Sequence, residues 1–413
     1  MRKILLIFSV VMACLTSCKN DDEPEVTKPV NTSRTVLVYM SGENNLTMQY
    51  GIPYLQNDIN EMLEGSKTLA DNQCLLVYVD VAKSAELPYL ARVKNGMLVD
   101  SVSISDMNIS DKDEYSCNPN VMESVIRYAF NNYPSEKSDY GLVLWGHSTG
   151  WLIEDSIPYT AMARRGAYGG DTGNNRTDSQ GVYWLNIPTM AKLLGKLPHL
   201  KYIFADCCNF QCVETAYELR NQTDYIIGSP AEIPGTGAPY ATVVPALFDE
   251  TMFWKSITDK YYEQGNSYEQ VPLSVIKTSE MENLAQATRQ VLSTFVPQQE
   301  EPYPNMSRLI HYYYDYRRYK FYDMNDFILK YASAEDYTTW KTALDKAVVY
   351  KLMATRWVTN VRWGDYYSDF TMSEEKYGGI SMFVPQWNYM TSINDEIKKL
   401  GWYKAAGLQE LGW

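Results

Sequence analysis

Short continuous apolar runs alternate with stretches of helical spacing through the first 250 residues. The runs are Thr35–Met40, Cys74–Val81, Gly141–Trp145, Tyr202–Ala205 and Tyr225–Gly228. Helical spacing appears between them, over Tyr54–Glu64 (Leu55, Ile59, Met62, Leu63), Val121–Phe130, Pro188–Leu197 and Val213–Arg220. Leu90–Ser105 alternates as a hairpin does. Strands covered on both faces are apolar without interruption. Such runs alternating with helices predict βαβ units around a mostly parallel central sheet with helices on both faces, an α/β fold. Beyond Asp249 the pattern turns helical, over Met281–Phe295, Met324–Tyr331 and Ala334–Val349. One late run, Gly379–Pro385, predicts a strand returning to the core. The expected division is therefore a core over 34–250 and a largely helical C-terminal elaboration over 251–413.

The N-terminus obeys another logic. Arg2 and Lys3 precede an apolar run, Ile4–Leu15, too short for a bilayer core that needs about 20 residues. This reads as a secretory signal over 1–17. The run ends Leu15-Thr16-Ser17-Cys18, which resembles a bacterial lipobox that leaves Cys18 as a lipidated N-terminus. Lys19-Asn20-Asp21-Asp22-Glu23 resembles the acidic tether of surface-exported lipoproteins. Residues 18–33 are polar and Pro-containing, the composition of a linker. The expectation is an exported lipoprotein on the outer membrane of a Gram-negative bacterium, held to the membrane through its lipid.

Composition narrows the field further. The chain of 413 residues has a net charge of −13 and is 45% hydrophobic, which excludes a disordered chain. No basic run stands out to neutralise phosphates, so nucleic acid is not an expected partner. Of the seven cysteines, Cys14 leaves with the signal and Cys18 takes lipid. The remaining five, an odd number, leave at least one thiol free or paired between chains. Neither the three histidines nor the cysteines show zinc spacing, and no calcium loop is visible. No metal or cofactor is expected from the residues.

Two strings carry candidate chemistry. Gly146-His147-Ser148-Thr149-Gly150 closes a buried run and matches the G-x-S-x-G elbow of serine hydrolases, with Ser148 as nucleophile. That reading needs a helix directly afterwards and a later histidine as base. The stretch from Trp151 to Pro158 makes a poor helix, and His199 precedes a strand, at the wrong end of the sheet. His311 sits in an aromatic run. The other reading takes His147 itself as the base. Chemistry in parallel sheets gathers at the carboxyl ends of the strands. His147 closes one run, and Asp206, Cys207 and Cys208 close the next. If the two strands are neighbours, a thiol and an imidazole face one crevice, which suffices for nucleophilic attack on a carbonyl.

These strings, with Asn44-Asn45-Leu46, Glu214–Leu219, Ser229–Gly235, Gly237–Tyr240 and Gly379–Pro385, resemble the clostripain family of cysteine peptidases, relatives of caspases, gingipains and legumains. The resemblance implies a caspase-like sandwich and a cysteine endopeptidase acting on protein or peptide substrates. The family's Asp-Ala-Cys falls on Asp206-Cys207-Cys208, so Cys208 is the implied nucleophile and His147 its partner. Ser148 stands where the family has glycine. The implied oxyanion donors are the backbone N–H groups of Cys208 and Ser148. Family preference implies cleavage after Arg or Lys, with Asp206 as the pocket acid and Ser229 as a binder of substrate backbone. Self-cleavage is implied within the Gly/Asn-rich interval, after Arg165. Some family members depend on calcium. A rival from another class is a binding lipoprotein that has kept the fold and lost catalysis.

Overall fold

Strand β1 (Arg34–Gly42) is buried at every position, and its side chains alternate between two separate cores. Val36, Val38 and Met40 enter one, and Leu37 and Tyr39 the other. That alternation comes from the two-residue period of a strand and marks a sheet covered on both faces. The computed structural model describes residues 30–82, 86–152, 167–171, 182–264, 270–298, 304–306, 308–312, 321–361, 364–369, 372–385 and 395–413. The signal, Cys18 and Arg165 lie outside them.

The sheet is built from β1, β2 (Gln73–Val81), β3 (Tyr89–Lys94), β4 (Met97–Ser103) and β5 (Tyr140–Trp145). A short ribbon comes next, β6 (His147–Ser148), β7 (Tyr168–Asp171) and β8 (Tyr183–Leu185). The chain then returns to the sheet with β9 (Leu200–Asp206), β10 (Thr223–Gly228) and β11 (Leu273–Lys277). After β12 (Phe321–Asp323), strand β13 (Val348–Leu352) completes it. The nine-stranded order is β13-β11-β10-β9-β5-β1-β2-β3-β4. The five central strands run parallel, and antiparallel pairs close both edges. The two cores lie on opposite faces. Helices α1 (Tyr54–Ser66), α5 (Tyr240–Ala246) and α6 (Phe253–Gln264) cover one. Helices α2 (Pro119–Asn132), α3 (Ile187–Leu194), α4 (Val213–Glu218) and α7 (Met281–Phe295) cover the other.

The division at residue 250 is not a boundary of the sheet, because β11 and β13 come from beyond it. The run Gly379–Pro385 does form a strand, Ser381–Phe383, but it pairs with β12 in a separate two-stranded ribbon. This ribbon docks under the turn after β9, where Ser381 N–H donates to the Gln211 carbonyl at 3.0 Å. The C-terminal half also runs to a longer hairpin, Arg356–Val361 with Gly364–Asp369, which helical patterning did not suggest. All five cysteines of the described residues are free thiols.

Candidate active site

Parallel pairing sets Trp145 at the end of β5 directly opposite Asp206 at the end of β9. His147 and Cys208 are each two residues further on, at the carboxyl rim of adjacent strands. Gly146, with φ of +144°, lets the chain leave the sheet here, and an added Cβ would stand 3.0 Å from the Ser41 carbonyl. Gly150, with φ of +71°, brings the two turns into contact. A Cβ there would lie 2.8 Å from the Asn209 carbonyl, in the turn just after Cys208, and 2.8 Å from the Phe321 ring. Only glycine takes both that dihedral and that approach without strain.

Strand alternation assigns the vicinal cysteines. Cys207 points into the apolar core on the α4 side and is fully buried. Cys208 points to the other face and remains partly exposed. The Ile233 N–H approaches the Cys208 sulfur at 3.4 Å, so the loop after β10 forms one wall beside the thiol. Burial pushes the Cys208 thiol up to about 12, with the nearby Glu232 carboxylate adding to the rise and the Ile233 N–H opposing it. Burial pushes the His147 imidazole down to about 4. Both shifts favour the neutral thiol and the neutral imidazole.

Asn45 is the residue that sequence reasoning left without a role. Its Oδ1 lies 2.7 Å from His147 Nε2, and its Nδ2 donates to Gln49 Oε1 at 2.8 Å. Asn44 fixes the loop that presents it, donating to the Ser41 carbonyl and accepting from Leu46 N–H. The available signal was that β1 ends at the same rim as β5, so the polar cluster after it had to face His147.

Asp206 is 3% exposed. Both its oxygens accept from Ala238 N–H at 3.1 Å, and Oδ2 also accepts from the Tyr240 hydroxyl at 2.9 Å. It does not cap the helix after Cys208; it anchors the loop before α5. Gly237, with φ of +57°, packs directly against it. Burial raises the Asp206 carboxyl to about 6, and Glu61 adds its charge. Burial and the neighbouring Asp206 push Asp58 up to about 9, while the Trp145 indole donates to it. Asp58, Glu61, Asp206 and Glu232 thus form an acidic surround on the Cys208 side of the sheet.

Ser229 lies in the loop after β10. It is 1% exposed, and its hydroxyl accepts from Ala231 N–H at 3.0 Å. The hydroxyl thereby shapes the loop that carries Glu232 and Ile233. Ser148 is 5% exposed; its hydroxyl accepts from Gly150 N–H and bonds the Cys207 thiol. A hydroxyl committed in this way is not poised as a nucleophile. His199 pairs with Asp224 before β9, at the far end of that strand from Asp206. Ser148 also lies outside the left-handed region, so the glycine it replaces is not required there for backbone reasons.

Glu43, Asp80 and Asp113 each bring one carboxylate oxygen within 4.8 Å of the others. This all-oxygen set suits a hard cation. It was invisible in the sequence because its members come from three separate stretches.

The sequence model of the clostripain family matches residues 38–407. No curated protein matches the chain. Among solved structures, the chain is similar to a secreted C11 cysteine protease from Bacteroides thetaiotaomicron, solved in complex with an irreversible peptide inhibitor. Identity is 30% and the TM-score 0.73, over 92% of this chain and 99% of that one. It is also similar to an inactive zymogen C11 protease from Parabacteroides distasonis, at 28% identity and a TM-score of 0.73 over the same shares. Family match, shared sheet and a thiol and imidazole at one rim converge, and the chain belongs to the clostripain family of C11 cysteine proteases.

Proposed function

We propose that the protein is an exported, lipid-anchored endopeptidase that cuts after Arg or Lys, with Cys208 as nucleophile and His147 as its acid–base partner. The observation that carries this reading is the contact between Gly150 and the Asn209 carbonyl, which holds the His147 turn against the Cys208 turn on neighbouring strands.

Asn45 Oδ1 can only accept, so His147 Nε2 carries the hydrogen and Nδ1 keeps its lone pair. When a peptide binds, Nδ1 takes the Cys208 proton and the sulfur attacks the carbonyl carbon. The oxyanion is stabilised by the backbone N–H groups of Cys208 and Ser148. Collapse breaks the C–N bond, and the imidazolium gives its proton to the leaving amine. Water, deprotonated by His147, then hydrolyses the thioester and restores the thiol.

The carboxylates around Cys208 support a basic side chain before the cut. A cation brought beside Asp206 favours its ionised form, which burial alone disfavours, and a guanidinium adds paired hydrogen bonds. Self-processing after Arg165 is part of the proposal. Ala167, two positions on, pairs with Thr149 in the ribbon that carries His147, so both ends of the interval are at the site. The N-terminal pattern Leu15-Thr16-Ser17-Cys18 supports lipidation and export.

The test combines fluorogenic Arg-, Lys- and neutral peptides with an arginyl electrophile and mass spectrometry of the mature N-terminus. Cleavage of neutral peptides alone overturns the specificity. No cleavage together with no adduct on Cys208 favours a binding scaffold. A mature chain without lipid on Cys18 overturns the anchor.

A further inference from the structure

We propose that the turn over Met48–Ile52 is a binding subsite for the polypeptide beyond the cut, selecting an aromatic or large aliphatic side chain among the first three residues after the scissile bond. The proposal rests on the peptidase reading above and adds to it the leaving side of the substrate.

The backbone of this turn is complete without help from its side chains. Gln49 and Ile52 each donate an N–H to the other's carbonyl, at 3.0 and 2.9 Å. Both central residues have positive φ, +52° at Tyr50 and +80° at Gly51, the combination of a two-residue type I′ turn. Thr47 braces the stem, its hydroxyl donating to the Gly42 carbonyl at 2.7 Å and accepting from Ala82 N–H at 3.0 Å. The first central position of such a turn favours Asn, Asp or Gly, because a large side chain strains the left-handed region. A tyrosine stands there instead, 92% exposed, flanked by Met48 at 61% and Ile52 at 42%. Eight large hydrophobic residues are exposed among the described residues, and three of them fall within these five positions. Single exposed apolar residues are ordinary, whereas a contiguous group marks a contact surface. Strain kept at an exposed aromatic residue points the same way. No charged residue occurs from Asn44 to Asn57, so the turn itself offers a charged side chain no partner.

The position of the turn identifies the occupant. The central strands run in the order β10-β9-β5-β1, and the segments leaving their carboxyl ends carry in turn Ile233, Cys208, His147 and Asn45. The Ile233 loop stands beside Cys208 on the β10 side, where the side chain before the cut is held. His147, which gives its proton to the leaving amine, stands on the β1 side. The chain after the cut therefore leaves toward the β1 turn. Asn45 joins the ring to that turn, with Oδ1 at 2.7 Å from His147 Nε2 and Nδ2 donating to Gln49 Oε1 at 2.8 Å. Two short hydrogen bonds and one amide group make a span that two or three extended residues cover at about 3.3 Å each. A second aromatic surface flanks the imidazole. Gly170 leaves room for the Trp184 ring, since an added Cβ there would stand 3.1 Å from that ring and 3.3 Å from His147 Cβ.

The test uses the full chain and internally quenched peptides that are identical through Arg and carry Phe, Leu, Ser or Asp in each of the three following positions. An acyl-arginine amide, which releases only ammonia, serves as the substrate with nothing after the cut. The wild type cleaves the Phe and Leu peptides about tenfold more efficiently than the Ser peptides, through a lower KM. Tyr50→Asn combined with Met48→Ser and Ile52→Thr brings that ratio to within about twofold, while an arginyl electrophile still labels Cys208. Tyr50→Asn alone, a residue that this turn favours, lowers the ratio about threefold should the triple variant fail to fold. Met97→Ser, exposed on β4, keeps the wild-type ratio. Equal cleavage of Phe, Leu and Ser peptides by a wild type that labels overturns this proposal and leaves the peptidase reading standing. No cleavage together with no adduct overturns both. A ratio that survives the triple variant also overturns the proposal, and loss of vesicle binding or of self-association in that variant then assigns the turn to a membrane or to a second copy. A loss spread evenly over every peptide and the arginine amide shows that the turn acts only through Asn45 on the imidazole, and overturns the proposal as well.

Discussion

Asn45 Oδ1 and His147 Nε2 stand 2.7 Å apart, and Asn45 Nδ2 donates to Gln49 Oε1 at 2.8 Å. The pair orients the imidazole. Asn45→Ala is expected to lower kcat about tenfold with little change in KM, since it removes alignment and not substrate contact. Asn45→Asp keeps the bond and adds a charge that favours the imidazolium. The acid limb of its pH–kcat profile should move to higher pH than in the wild type. Identical profiles for all three proteins would reduce the contact to a surface detail.

The vicinal cysteines should separate cleanly. Cys208→Ala should abolish turnover and labelling by an arginyl electrophile. Cys207→Ala should keep both and lose about 1 kcal/mol of stability through the small cavity it opens. A labelled Cys207 on peptide mapping would reverse the assignment made from strand alternation.

Gly150 and Gly51 offer a controlled comparison. Both have positive φ, +71° and +80°, but a Cβ on Gly51 meets nothing within 4 Å. Gly51→Ala should cost about 1 kcal/mol from the dihedral alone. Gly150→Ala adds the clash with Asn209 and Phe321, and should cost about 3 kcal/mol together with most of the activity. Urea midpoints and turnover measured on both variants test this; equal losses would show that the contact between the turns matters little.

The neutral thiol has a pH signature. Burial holds the Cys208 thiol above its ordinary range, so little thiolate is present at pH 7. Alkylation by iodoacetamide should be slow at neutrality and rise through pH 9, while a peptide electrophile that seats His147 reacts readily. Glu232→Gln removes a like charge that raises the thiol, so its alkylation at a given pH should be faster. A fast, flat alkylation profile between pH 6 and 8 would mean a preformed ion pair.

The parallel centre of the sheet was readable because strands buried on both faces leave unbroken apolar runs, as in Val36–Met40 and Leu142–Trp145. The ends of those runs then located His147 and Cys208. The antiparallel edge strand β13 was not readable: four of its five residues are only partly buried, and Val348 and Val349 continue the spacing of the preceding helix. Asn45 and the Glu43–Asp80–Asp113 group were hidden for another reason. Their meaning depends on which strand ends become neighbours, and that is set by sheet order. The role of Ser229 was not legible either, because a hydroxyl in a strand-end loop serves its own turn as readily as it serves a ligand.

The Gln211 side chain reaches from the turn after Cys208 to the Ser274 carbonyl and hydroxyl on β11, at 2.8 and 3.0 Å, and Ser381 N–H closes on the Gln211 carbonyl. The turn after Cys208 is thus sewn to chain from far downstream. An expression fragment stopped near residue 250 should come out of solution misfolded, not as a smaller working enzyme. Attempts to miniaturise the protein, or to graft its cleft elsewhere, must carry the C-terminal segment along.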